Sequence, residues 1–335
     1  MLNFCTLFNT TYFSRGLAMY RSLEQFCPDF HLYIFAFDGH CHEALSNMAL
    51  PHATIISLQE FENEALLSVK HTRTEQEYCW TAGSYTIKHC IEEFSLDHCT
   101  YVDADLLFFS NPQVLIDEMG SKSVLITEHR YTPCYDQSAT SGIYCVQFMT
   151  FKNTQEGMEV LNWWVSACLE WCYARMEDGK FGDQKYLDDW TTRFNCVHVC
   201  QHLGAGIAPW NVQQYVFKHK SGKSKGQVLS SNEEFDLVFY HYHGFSYSSN
   251  NSYMIAPSGY HLGRNQIKHI YKPYVHALSI AENQINTTVE GLVPYHINDE
   301  FEWVRNVLRR YLVFSLRGYY KNFYTKRSFQ YGFIY

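Results

Sequence analysis

The stretch up to Leu58 constrains the fold most, because apolar runs alternate there with segments of helical period. Asn3 to Phe8 (NFCTLF) reads as a short strand, and Ser14 to Phe26 as a helix with Leu17, Tyr20 and Leu23 on one face. Pro28 stops that helix. Leu32 to Phe37 (LYIFAF) is a continuous apolar run ending at Asp38-Gly39, as expected of a strand buried on both faces. A helix near His42 to Met48 and a strand at Ala53 to Leu58 follow. This β-α-β-α-β order implies a parallel sheet with ligands at the carboxyl ends of its strands. The turn after the first strand is Asn9-Thr10-Thr11-Tyr12, with no Gly-rich phosphate loop. That excludes Walker and Rossmann fingerprints and speaks against a sugar-phosphate nucleotidyltransferase.

Thr100 to Pro112 reads TYVDADLLFFSNP. Tyr101 and Val102 end a buried strand, and Asp103 and Asp105 then stand two apart. On an extended backbone both carboxylates leave from one side. At a strand's carboxyl end they form a half-site for a hard divalent cation, although acids there also serve as solvated turn residues. Leu106 to Phe109 pin this edge down, and Ser110-Asn111-Pro112 turns the chain away.

The apolar strand, Asp-Ala-Asp, four apolar residues and Asn-Pro resemble the metal-binding motif of the GT-A glycosyltransferases. Those enzymes move a sugar from a nucleotide-diphosphate donor. Thr6-Leu7-Phe8-Asn9-Thr10-Thr11-Tyr12 resembles the first loop of family 8 within them, the glycogenin and bacterial galactosyltransferase branch. The resemblance implies that Thr6, Asn9 and Tyr12 contact the nucleotide base. Asn9 and Thr11 also suit a plain helix cap. Asp38 lies on the same edge. The run WTAGSYTIKHCIEEFSLDHCTYVDAD has the family's helix-then-strand approach to the metal motif. Arg73, just before the helix Glu75 to Phe94, or Lys88 upon it, would then supply charge for the donor phosphates.

Two later strings extend the likeness. Gly182-Asp183-Gln184 resembles the Asp-Gln motif near the donor sugar, with Asp183 near the anomeric carbon and Gln184 orienting the acceptor or sugar. A carboxylate opening a helix is also an ordinary cap. After a strand at Phe235 to Tyr240, His241-Tyr242-His243-Gly244 resembles the family's His-x-x-Gly. It implies His241 as third metal ligand, with His243 as the alternative, and the Gly244 amide against the diphosphate. Cys145 stands where the family usually has Asn. The implied protein is α/β, a GT-A fold with a mixed central sheet. Residues 1–245 form the catalytic domain (1–120 the nucleotide-sugar half, 121–245 the acceptor half), and 246–335 a helical, basic, aromatic extension. The implied activity is transfer, with retention, from a nucleotide-diphosphate donor to a glycan or lipid-linked acceptor with Mn²⁺ or Mg²⁺; Tyr12 and Asn9 favour UDP. A catalytically inactive sugar- or nucleotide-binding module is the alternative, with Cys145 in its favour.

Other stretches read more plainly. The helix Glu156 to Arg175 carries Trp163, Trp164 and Trp171 as core. The polar loop Tyr131 to Ser141 has the length to close over a substrate, and Trp210 could be a sugar platform. Cys196, His198, Cys200 and His202 share one strand face, too spread out to wrap a zinc ion. The twelve cysteines show no CxxC pair, which suggests reduced thiols in a cytoplasmic protein. No apolar run reaches a membrane span and no signal peptide is visible. Against a net charge of -8, Arg305 to Arg327 holds seven basic residues and no acid. Its helical start sets Trp303, Val307, Leu308 and Tyr311 opposite Arg305, Arg309, Arg310 and Arg317. Such a segment suits peripheral attachment to an anionic inner membrane face. The acidic remainder disfavours nucleic acid as a partner.

Overall fold

The structure is a computed structural model that describes residues 1–249, 251–289, 291–298, 312–313, 315–316 and 321–331. It opens with β1 (Leu2–Phe8), α1 (Phe13–Phe26), β2 (Phe30–Ala36), α2 (Gly39–Met48) and β3 (Ala53–Ser57). This is the expected alternation, with β1, β2 and β3 paired in parallel. Phe4 and Phe8 of β1 enter one core while Cys5 and Leu7 enter the other. Burial on both faces explains the unbroken apolar runs. The helix Glu75–Glu93 starts with a capping box between Thr74 and Glu77 and returns the chain to β4 (His98–Val102), parallel to β1.

β5 (Leu106–Phe108) leaves the main sheet, which β6 (Val124–Glu128), β7 (Tyr144–Lys152) and β8 (Val197–Val199) complete. The order is β3-β2-β1-β4-β7-β6-β8. β7 runs antiparallel to both neighbours, so the sheet is mixed, as the sequence implied. α1 covers one face, and the helices Glu75–Glu93 and Gln155–Glu170 pack together on the other.

Three local expectations change. The Trp-rich helix ends at Glu170, because Trp171 is already extended and the chain turns back until the Ala174 amide reaches Glu77 Oε1 at 2.8 Å. The strand of Cys196 to His202 is only three residues long. The Glu118 carboxylate breaks it by accepting from the amides of Gln201 and His202, with His198 Nε2 2.6 Å from it. That cluster is a loop fastener. Downstream, β9 (Tyr215–Lys220), β10 (Lys223–Val228) and β11 (Glu234–Asp236) form an antiparallel sheet. The expected strand Phe235 to Tyr240 is split between β11 and β12 (Phe239–His241). It breaks at Val238, whose carbonyl turns to accept from Phe109 and whose amide donates to Gly204.

Beyond residue 245 the chain is less helical than expected. β13 (Ser246–Ser248) and β14 (Ser252–Met254) form a hairpin flanked by β15 (Ile297–Asn298) and β16 (Phe323–Thr325). The helix Lys272–Thr288 packs on α1, and its Tyr274 stacks on Tyr242 at 3.5 Å. The final described segment is fastened down. Asn322 Nδ2 donates to the carbonyls of Ala256, Pro257 and Tyr260, Lys326 pairs with Glu282 at 3.1 Å, and Phe329 is buried. Arg305, Arg309, Arg310 and Arg317, with most of the expected amphipathic helix, lie outside the described residues. No helix among the described residues is long and apolar enough to cross a membrane.

Candidate active site

Asp103-Ala104-Asp105 forms the corner between β4 and β5. The backbone there is a turn, with Leu106 N donating to Asp103 O at 3.3 Å, where the sequence suggested an extended pair. The physical reason is β5's partner. β5 pairs antiparallel with β12, Leu106 facing His241, and Tyr242 N closes on Asp105 O at 3.0 Å. The chain must turn out of the main sheet to make that ribbon. The same ribbon delivers the His241 ring to the carboxylates. His241 Nε2 stands 3.1 Å from Asp105 Oδ1 and 3.6 Å from Asp103 Oδ2. One ligand atom from each residue lies within 4.8 Å of the others. His243 is exposed and packs against Trp210 at 5.5 Å, so His241 is the ring that meets the acids.

The charges in this group are strongly coupled. Burial opposes ionisation of Asp105, but the neighbouring His241 overcomes it and holds the carboxyl down at about 2. Burial works equally against charge on His241, and Asp105 outweighs it, raising the imidazole well above its ordinary value. Asp103 is pushed up to about 6, chiefly by burial, with His241 pulling the other way. Tyr101 donates its hydroxyl to Asp103 Oδ1 at 3.0 Å. Asp183 is brought near the group. Its carboxyl takes hydrogen bonds from its own amide and that of Gln184, but burial followed by the Asp103 charge outweighs them and lifts it to about 7.

The remaining sequence candidates divide. Tyr12 is 42% exposed beside the site, and Gly244 sits at φ +72° where a Cβ would stand 2.6 Å from the Pro257 ring. Gln184 is tied by its Nε2 to Ser141 O at 2.6 Å. Asn9 caps the turn Thr10–Tyr12 and donates to Glu75, so the cap reading is the one its contacts match. Thr6 is wholly enclosed within β1 and does not reach the open edge. Asp38 accepts from the Thr10 amide and hydroxyl, each at 2.6 Å, and from the Cys41 amide. Burial raises its pKa, yet those bonds outweigh burial and lower it; its oxygens hold the loop.

Neither proposed phosphate cation points at the site. Arg73 stacks on Tyr173 at 3.9 Å and donates to Leu169 O. Lys88 pairs with Glu92, and at 1.5 Å per residue it lies roughly 20 Å along its helix from the end nearest Asn9. Trp210 is buried, its indole N–H spent on His129 O, so it offers no open platform. The loop expected to close is already held: Lys185 Nζ donates to Ser138 O, Gln184 to Ser141 O, and the Ile143 amide to Asp188.

Two residues escaped the sequence reading. Arg15 is buried beside the site and makes no ion pair among the described residues. Its guanidinium lies 4.1 Å from the Tyr12 ring and donates to Thr11 O and Phe245 O, joining the first loop to the loop after β12. The three-residue spacing from Tyr12 at a helix start was its signal. Gln147 is a buried amide at the middle of the apolar strand β7 and lies against His241. Its signal was a polar residue where only apolar ones were needed.

With this geometry the class of the fold is clear, a GT-A fold. The galactosyltransferase LgtC, solved with donor and acceptor sugar analogs, superposes with a TM-score of 0.51 at 10% identity, over 90% of this chain and 99% of that one. An active-site mutant of LgtC gives 0.50 at 9% identity over the same shares. No protein-family model matches the sequence. The uncharacterized protein YfnD of Bacillus subtilis (strain 168) is 31% identical over 305 residues, 88% of this chain and 95% of YfnD. The chain belongs to the family of YfnD. The uncharacterized YfnF of the same strain is 29% identical over 289 residues, 82% of this chain and 89% of its own length.

Proposed function

We propose that this protein is a metal-dependent glycosyltransferase that takes a sugar from a UDP-sugar and passes it, with retention, to a glycan or lipid-linked acceptor. One observation carries the reading: Asp103, Asp105 and His241 converge at the carboxyl edge of a GT-A sheet. Two carboxylates and an imidazole suit a divalent cation, the nitrogen favouring Mn²⁺ over Mg²⁺. Such an ion supplies a Lewis acid for the diphosphate leaving group.

The chain's own side chains do the rest. Tyr12 presents a ring braced from beneath by Arg15, suited to stack on the base. The diphosphate amide contact falls to the exposed Gly244, where φ +72° and the Pro257 ring leave no room for a Cβ. In this reading Asp183, beside Asp103, would face the donor sugar, and Gln184, anchored through its Nε2, would offer its carbonyl oxygen to a sugar hydroxyl. Arg15 is a buried cation close enough to act on Asp105, and it takes the role the sequence gave to Arg73 or Lys88.

A hydrolysis screen over UDP- and GDP-sugars with Mn²⁺ tests the reading. The parent should release UDP from at least one UDP-sugar and Asp105→Asn from none; no turnover of any donor by the parent would sink it. Peripheral attachment is tested separately. The full chain, but not one ending at Asn298, should co-sediment with anionic liposomes.

A further inference from the structure

Gln147 is fully buried in β7, and a buried amide is costly unless both of its ends are bonded. Both ends are. Its Oε1 lies 2.9 Å from His241 Nδ1, and its Nε2 lies 3.5 Å from Thr127 Oγ1. Thr127 spends its own proton on Cys145 O at 3.2 Å, so its oxygen is left to accept. That sets which way the amide faces: Nε2 toward Thr127, Oε1 toward His241. An oxygen at Nδ1 requires a proton on Nδ1. The backbone carbonyl of the same residue accepts the Asp103 amide at 3.1 Å. Gln147 therefore touches the carboxylate corner with its main chain and the imidazole with its side chain.

We propose that Gln147 is a positioning residue for the cation site. It holds the Nδ1 proton of His241, so that Nε2, which faces Asp103 and Asp105, is the nitrogen that gives up its proton to ligate a cation there. This rests on the reading of those three residues as cation ligands. A ring that ligates through one nitrogen depends on what the other nitrogen donates to, and such partners shape affinity. A neutral amide does this without adding a third negative charge beside two carboxylates. If Gln147 merely filled space, a leucine of similar bulk would serve equally well.

The test is Mn²⁺ binding to the metal-depleted full chain with UDP present, read by electron paramagnetic resonance. Titration gives the affinity, and nitrogen modulation in the spin-echo signal reports a histidine ligand. The parent should show the modulation and His241→Ala should lose it. Gln147→Leu should bind Mn²⁺ about 10–100-fold more weakly with reduced modulation, and Gln147→Glu, which keeps an acceptor, should recover most of both. A parent without modulation, or indistinguishable from His241→Ala, overturns the cation reading itself. A parent with modulation and a Gln147→Leu variant that matches it overturns only the role of Gln147. Should the leucine variant fail to fold, Thr127→Val decides. It frees the amide to flip, so several-fold weaker binding is expected, and unchanged binding refutes the proposal.

Discussion

Replacing Asp183 by Asn should stabilise the protein while removing its activity. Asp183 is 7% exposed, and burial together with the Asp103 charge lifts its carboxyl from 3.8 to about 7. The folded chain holds this proton at pH values where the unfolded chain has released it. Stability therefore falls as pH rises from about 4 to about 7 and stays lowered above that. Roughly three pH units at about 1.4 kcal/mol each make this cost about 4 kcal/mol at neutral pH. Asn keeps the shape but must bury an amide, so a gain of about 1–3 kcal/mol is expected. For a chain of this size that is a rise of a few degrees in Tm. Thermal unfolding in EDTA, from pH 4.5 to 8.5, is the assay. The advantage of Asp183→Asn should be largest at pH 8 and shrink toward pH 4.5. Equal stability of the two proteins at pH 8, or a pH-independent difference, refutes the argument. A stability gain with activity lost is the pattern of a residue retained for chemistry.

Asp105→Ala should abolish donor turnover and EDTA should reproduce the loss in the parent; full activity in excess EDTA would remove the metal role. UDP with Mn²⁺ should raise Tm by mass action on the folded state, and Tyr12→Ala should shrink that rise; stabilisation by GDP and not UDP would overturn the base assignment. Asn322→Ala leaves three carbonyls of residues 256–260 without their donor and should cost about 1–3 kcal/mol of stability, measured by urea unfolding; a loss below about 0.5 kcal/mol would mean water replaces the amide.

The sequence by itself determined the nature of the sheet. LYIFAF is short and apolar throughout, as a strand buried on both faces is, and its alternation with helical segments favours parallel pairing. It also put Asp103 and Asp105 together at the carboxyl end of a strand, two residues apart. Local spacing carried this information, since each feature lies within a few residues of its neighbours. What only the tertiary structure decided is which distant groups meet. Asp103 became a turn residue because β5 pairs with β12, and that pairing chose His241 over His243. Asp38 and Thr6 belong to the first two strand units, as expected of donor contacts, yet one is spent on Thr10 and the other is enclosed within β1. Arg73 and Lys88 have the charge a diphosphate needs, but helix direction and a nearby tyrosine point them elsewhere, while Arg15 sits buried beside the site. Charge and hydrogen-bonding capacity are written in the residue; direction and partner are set only when strands far apart in sequence pair and pack.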